Sequence, residues 1–353
     1  MRIFNIAGPC NKRQHYMIDA AKRIQGIDYL IDSGNYFVLH AARQSGKTTF
    51  IQDLALRLNA EGKYYAVYCS LETLQGIIDP KDGIPGIVRK LHTSISIFKL
   101  PNAAAFAENA NFENFTSVLY DELTKFCSTL DRPLVIFFDE ADCLSEITLI
   151  SFLRQLRDGH NNRHFSPFAH SVALVGMRNI RDYKAKICPE SQTLGSASPF
   201  NIVTKILTLT NFTKDEVSEL YAQHTAETGQ IFCDGVVDFI YNQTCGQPWL
   251  VNAVAREVIV EVLQRDLSKP VTKKLATQAI QNIILRRDTH IDSLLERLKE
   301  ERIRKIIEPL ILGENIDSRM SDDFMFAKDL GLIKEEKGKI IPSNPIYTEV
   351  IIR

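Results

Sequence analysis

The sequence predicts an α/β fold, a parallel sheet sandwiched by helices, with a helical region and a small C-terminal module after it. Three observations carry this. Short apolar strand patterns alternate with longer helical patterns over residues 36–209. One strand pattern, PLVIFFDE (133–140), is continuously apolar, as expected where both faces are covered. The composition changes near Phe212, and helical patterns dominate from there.

In chain order, residues 1–35 read as an arm with polar turns at Gly8-Pro9 and Ser33-Gly34-Asn35. YFVLHA is a short buried-type strand. The stretch after Lys47 is a helix with apolar Phe50, Ile51, Leu54, Leu56 and Leu58. YYAVYCSLE (64–72) is a second strand. The Gly- and Pro-rich IIDPKDGIPG follows as an excursion, and helical pattern returns over 112–130. After the third strand, PLVIFFDE, come SVALVGM (171–177) and NIVTKILTL (201–209) as fourth and fifth. TKDEVSELYAQHTAETG opens with Thr213 and Glu216 three residues on, a capping box. Further helical segments run to Arg287. Residues 291–312 read as one amphipathic helix whose stripe, Ile291, Leu294, Leu295, Leu298, Ile303, Ile306, Ile307 and Leu310, is a core face. A helix ending in DLGLI, a strand, a Lys-Gly turn and a second strand then suggest a small winged-helix unit. SNPIY reads as a turn and strand end.

The chain has 353 residues, so two or three domains are expected. Apolar residues make up 45% and charged residues 24%, and the formal net charge of -1 gives no global positive field for nucleic acid. Cys10, Cys69, Cys127, Cys143, Cys188, Cys233 and Cys245 are scattered singly with no CxxC pair. That argues against a disulfide framework or structural zinc and fits a reducing cytoplasm. The N-terminus MRIFNIAGPCNKRQHYM shows no long apolar region, so no signal peptide is expected. No run of about 18 apolar residues appears, so no membrane-spanning helix is expected. His160 and His164 flank NNR in an expected loop with only Asp158 near, and no metal site is expected there.

AARQSGKT (41–48) lies between a strand and a helix, the context that a phosphate-binding P-loop needs. The loop amides of Ala42, Arg43, Gln44, Ser45 and Gly46, with Thr49 just beyond, would surround the phosphates at a helix N-terminus. Lys47 would reach the β- and γ-phosphates, and the Thr48 hydroxyl would face Mg²⁺. Ala41 stands where the motif expects Gly. It only begins the turn, so its methyl is costly only at a positive φ. The alternative is a chance Gly-Lys-Thr.

The third strand delivers Asp139 and Glu140 to the carboxyl edge of the sheet, where ligands sit in such folds. Asp139 would hold the Mg²⁺ shell and Glu140 would orient and deprotonate the attacking water. Asp142 and Glu146 could instead simply start the next helix. A carboxylate beside the metal ligand, and a strand between cradle and acidic pair, mark the additional-strand class of P-loop proteins. That class places the cradle strand centrally, next to the fourth strand. In GMRNIRDYK, Asn179 or Arg178 would sit beside the γ-phosphate as a sensor, with Arg181 in reach. Arg157 and Arg163, past the acidic pair, could approach a neighbour's nucleotide, though an Arg so placed is more often a solvated face or a structural ion pair. Gly246-Gln247-Pro248 could cap the adenine or merely end a helix, and Arg256 could meet the phosphates.

Taken together, FNIAGPCNKRQHYM, YFVLHAARQSGKTT, FFDEADCL, FLRQLRDGHNNR, SVALVGMRNIRDYK, SPFNI, GQPWLVNAVARE, LRRDTHIDSLLERL, DLGLI and SNPIYTEVIIR resemble a bacterial group of AAA-like ATPases near the origin-recognition and STAND-type P-loop proteins. The resemblance spans nearly the whole chain. It implies an N-terminal arm packing on the core (1–35), an ATPase core (36–210), a helical lid (211–287) and a winged-helix domain (288–353). It places Lys47 and Thr48 on Walker A, Asp139 and Glu140 on Walker B, Asn179 or Arg178 on the sensor position, and Pro248 on the GxP motif that contacts the base. ATP and Mg²⁺ are the implied cofactors. No effector segment of its own is expected.

Four functions compete. The first is a cytoplasmic ATP-driven switch in which lid and winged helix move against an unidentified protein partner or effector, with a nucleotide-dependent homo-oligomer as one outcome. The second is a DNA-binding loader or regulator acting through the winged helix, against which the C-terminal segment is nearly balanced in charge. A helicase is suggested by Asp139-Glu140-Ala141-Asp142, which spells DEAD, but Ser196-Ala197-Ser198 does not follow a strand and no second RecA-like domain fits. A scaffold with a dead nucleotide site draws slight support from Ala41 and is opposed by Glu140.

Overall fold

The computed structural model describes residues 1–19, 23–176, 203–287, 289–312 and 321–352. The chain divides into two compact units. One comprises Ala20–His40 and Phe50–Thr208, the other Met1–Asp19, Ala41–Thr49 and Leu209–Arg353.

The first unit is built on a five-stranded parallel sheet flanked by helices. Its elements run α1 (Ile27–Asp32), β1 (Tyr36–His40), α2 (Lys47–Glu61), β2 (Tyr65–Ser70), α3 (Pro80–Ile97), α4 (Val118–Ser128), β3 (Leu134–Asp139), α5 (Glu146–Asn162), β4 (Ser171–Gly176) and β5 (Val203–Thr208). The strand order is β2-β3-β4-β1-β5, all neighbours parallel. The cradle strand β1 is therefore internal and pairs with the fourth strand, as the additional-strand reading expects. Every residue of β1, β3 and β4 is buried, the signature of strands covered on both faces. The Phe138 and Phe152 rings meet edge to face at 5.0 Å and join the sheet to α5.

Two expectations fail in this unit. The Gly- and Pro-rich stretch is no excursion but the 18-residue helix α3. Asp79 caps it, accepting from the Lys81 amide, and Pro80 occupies the first turn, where its missing N–H costs nothing. Its glycines serve close packing. A Cβ on Gly83 would come within 2.5 Å of the Thr148 methyl, and one on Gly86 within 2.7 Å of Leu74. His160 is likewise in no loop, because α5 continues to Asn162.

The second unit is mostly helical: α6 (Lys214–Thr228), α7 (Val236–Thr244), α8 (Pro248–Arg256), α9 (Lys273–Arg286), α10 (Thr289–Leu298), α11 (Glu301–Ile311) and α12 (Asp322–Asp329), then an antiparallel hairpin of β6 (Ile333–Glu336) and β7 (Lys339–Pro342), and α13 (Pro345–Ile352). The capping box of α6 is present, with Thr213 Oγ1 accepting from the Glu216 amide and the Glu216 carboxylate accepting from the Thr213 amide. A π-helical turn, Glu257–Val262, extends α8 and buries Glu257, which pairs with Arg286 at 2.7 Å. The one long helix expected over 291–312 is two, broken at Glu300 by an extended backbone (ψ 125). The stripe explains the break: from Leu298 to Ile303 the apolar spacing slips to five, which no single α-helical face accommodates. SNPIY is not a strand end. Asn344 accepts from the Tyr347 amide and starts α13.

The arm, Met1–Asp19, belongs to this unit. Phe4 and Tyr16 are buried with ring centroids 4.8 Å apart, and both meet His224 of α6. The Arg2 guanidinium and amide donate to Glu227, Gln223 donates to the Met17 carbonyl, and the Trp249 indole donates to the Ile6 carbonyl.

Candidate functional site

The loop Ala41–Thr49 follows β1 and runs into the first turn of α2. Ala41 is fully buried and does not appear among the described residues with positive φ, so its methyl imposes no left-handed strain. The left-handed positions are Gln44 (φ 58) and Gly46 (φ 87), the second a conformation that glycine alone adopts freely. Left-handed residues in such a turn let successive N–H groups converge on an anion, and the helix N-terminus adds partial positive charge. Lys47 is 7% exposed and Ser45 2%. The loop contains no carboxylate. Its donor set thus suits a polyanion.

Three parts of the second unit touch this loop. The Cys10 amide of the arm donates to Thr49 Oγ1 at 2.9 Å. Gln247, in the turn before α8, reaches the Gln44 carbonyl through Nε2 at 3.4 Å. Gly331, between α12 and β6, lies so close that a Cβ built on it would stand 2.7 Å from that of Ala42. The turn holding Gln247 is tightly built. Cys245 (φ 46) and Gly246 (φ 69) are left-handed, and a Cβ on Gly246 would stand 1.9 Å from the Phe212 carbonyl oxygen. Gln247 caps α8, accepting from the Leu250 amide, and Pro248 is its first residue and is buried.

In the first unit, Asp139 ends β3 at the carboxyl edge of the sheet, the edge at which His40 ends β1. Asp139 is 1% exposed. Its Oδ1 accepts from the Glu140 amide at 3.0 Å and its Oδ2 from the Tyr68 hydroxyl at 3.3 Å. Burial, and after it the Asp139 charge, hold the Tyr68 phenol protonated well above its ordinary range. Glu140 is left-handed (φ 55, ψ 36), a strained state for a non-glycine residue and one that recurs at functional sites. Asp142 packs on the last residue of β4: a Cβ on Gly176 would stand 2.6 Å from Asp142 Oδ1. Ser145, not Asp142, caps α5.

Arg178, Asn179 and Arg181 lie outside the described residues. Arg157 is within α5, and Arg163 is its C-cap. Arg163 Nη1 donates to the Gly34 carbonyl at 2.6 Å, and Gly34 precedes β1. The Arg163 guanidinium therefore sits at the amino edge of the sheet, opposite Asp139. Arg256 pairs with Glu261 at 3.3 Å. Tyr68 is a partner of the acidic pair that motif reading missed. Only strand pairing reveals it, since β2 lies beside β3 with Ser70 opposite Asp139.

A family model described as an AAA-like domain matches residues 12–352. Among solved structures, the Walker-type ATPase of Pyrococcus abyssi superposes with a TM-score of 0.64 at 13% identity, covering 99% of each chain. The ORC2 protein of Aeropyrum pernix, in its ADPNP and ADP complexes, gives a TM-score of 0.50 at 13% identity, covering 99% of this chain and 95% of that one. At such identity these likenesses bear on the fold, which is that of the P-loop NTPases. No curated protein matches the chain.

Proposed function

The chain belongs to the AAA-like domain family, and from that premise we propose that it is an ATPase switch, binding and hydrolysing Mg-ATP and changing lid contacts as it turns over. One observation carries the switch: the loop suited to a polyanion is touched by the arm, by the Gly246-Gln247-Pro248 turn and by Gly331. A ligand that changes the loop then bears directly on all three. A switch requires such contacts to differ between ligand states.

In this reading the amides of Ala42 to Gly46, with Lys47, bind the β- and γ-phosphates, and Thr49 holds the arm. Thr48 and Asp139 are the residues that would hold Mg²⁺, which neutralises phosphate charge when bound. Glu140, held in a left-handed backbone, accepts the proton of the attacking water. Pro248 borders the base. Arg178 or Asn179 senses the γ-phosphate. Hydrolysis removes the group that the sensor contacts and releases the lid toward a protein partner. The test is the Glu140→Gln variant, which keeps size and hydrogen bonding but removes the base. It should bind ATP like the wild type and turn over at least about a hundredfold more slowly. A kcat near the wild-type value would remove Glu140 from this role.

The second reading, a loader acting on DNA, is favoured by the order of a helix followed by the β6–β7 hairpin near the C-terminus. Charge weighs against it, since residues 321–352 hold six acidic and four basic side chains and α12 opens with Asp322-Asp323. Duplex binding that weakens steeply with salt would favour the loader. Among the described residues no helix is long and apolar enough to cross a membrane.

A further inference from the structure

Asp139 is held by more than its own turn. Its Oδ2 accepts from the Tyr68 hydroxyl at 3.3 Å, while Oδ1 accepts from the adjacent Glu140 amide. Tyr68 sits on β2, the strand beside β3, and its hydroxyl also interacts with the side chains of Ser70 and Gln52. Gln52 is four residues beyond Thr48 on α2, hence on the same helical face. A hydroxyl can donate one hydrogen bond and accept two. The Tyr68 donor goes to Asp139. The carboxylate at the end of β3 is thus tied to the neighbouring strand β2 through one phenol.

We propose that Tyr68 is a positioning residue for the metal side of the site: its hydroxyl fixes the Asp139 carboxylate for Mg²⁺. This rests on reading Asp139 and Thr48 as the Mg²⁺-holding pair. The physical cause is general. A carboxylate ligand left free to rotate pays an ordering cost each time the ion binds, and outer partners remove that cost in advance. The bond from Tyr68 is long for a hydroxyl, so it steers the carboxylate without competing strongly for its charge.

The experiment separates metal from nucleotide. A fluorescent ATP analogue is titrated against wild type, Tyr68→Phe, Gln52→Ala and Asp139→Asn, first in EDTA and then at fixed analogue with rising Mg²⁺. Tyr68→Phe keeps the ring and its packing, and circular dichroism reports folding. Its affinity in EDTA should equal the wild-type value. Its Mg²⁺ half-saturation should rise about tenfold, with kcat at saturating Mg²⁺ within about twofold of wild type. Gln52→Ala should move the half-saturation the same way by a smaller factor. An unchanged Mg²⁺ half-saturation in Tyr68→Phe, or in Gln52→Ala should Tyr68→Phe not fold, overturns the proposal. A shift in Tyr68→Phe that appears equally in EDTA assigns the residue to packing alone and also overturns it. If Asp139→Asn leaves the Mg²⁺ dependence intact, the assignment of Asp139 itself falls, a result distinct from failure of Tyr68 alone.

Discussion

Lys47 is 93% removed from solvent at the first turn of α2, in a loop with no carboxylate. In the proposed reading its ammonium would add its charge to the loop amides at the helix N-terminus. Lys47→Ala should abolish ATP binding in calorimetry while leaving the circular dichroism spectrum intact, and wild-type affinity in that variant would refute the cradle. The loop's place between a strand and a helix was legible in the sequence because the pattern is local. The irregular Ala41 was also answerable, since it avoids the positive φ that would have made its methyl costly. Tyr68 was not legible, because its relation to Asp139 depends on which strand lies beside β3. The contact of Arg163 was hidden for a similar reason. Its position after α5 says little until the helix is seen to end at the far edge of the sheet, where its guanidinium meets the Gly34 carbonyl.

At the scale of elements, the turn between α7 and α8 is the most tightly specified piece of backbone near the loop. Gly246 is left-handed and faces the Phe212 carbonyl, whose residue returns the contact by donating its amide to the Gly246 carbonyl at 2.8 Å. Gly246→Ala must both strain φ and displace that carbonyl. We expect a loss on the order of 3 kcal/mol, read as a lower urea midpoint for the unit. The chain should also bind ATP more weakly, because Gln247 is next in sequence and reaches the Gln44 carbonyl. Elements were read well where period decided them: the strands of the sheet, the capped α6 and the β6–β7 hairpin. They were missed where packing overrode composition. In α3 the glycines and prolines that looked like a loop admit Thr148 and Leu74 and start the first turn. The break between α10 and α11, by contrast, was written in the stripe as a slipped spacing and could have been read.

At the scale of the whole chain, stability should depend on pH through buried imidazoles in both units. Burial lowers the pKa of His224 in the second unit and of His160 and His170 in the first. Each folded pKa lies below the unfolded value of about 6.5, so the unfolded chain binds more protons in between. Stability is therefore full above about pH 6.5 and falls as pH drops toward the folded values. His224 is hydrogen-bonded on both ring nitrogens, to Tyr16 and Gln230, and lies among Phe4, Tyr16 and Phe232, with Glu227 attracting its charged form. Thermal unfolding between pH 8 and pH 5.5 should show the loss, and His224→Gln should flatten the part that belongs to the arm and α6. A profile in the variant as steep as in the wild type would sever the arm from this effect. The arm's place among α6 and α8 lay beyond the sequence, since nothing in FNIAGPC or RQHYM names a partner some two hundred residues away.

Three of the chain's thiols are held in the protonated form. Cys69 inside the sheet, Cys127 on α4 and Cys143 beside Leu71 are each pushed up to about 12, chiefly by burial, so almost none of their sulfur is thiolate at neutral pH. Alkylating dyes will therefore pass over the strand-bearing half at these positions. Cys10, in the arm, is partly exposed, as are Cys127 and Cys143, and its amide donates to Thr49. A fluorophore seated there would report, by a change in colour or brightness, whether a nucleotide reaches the loop.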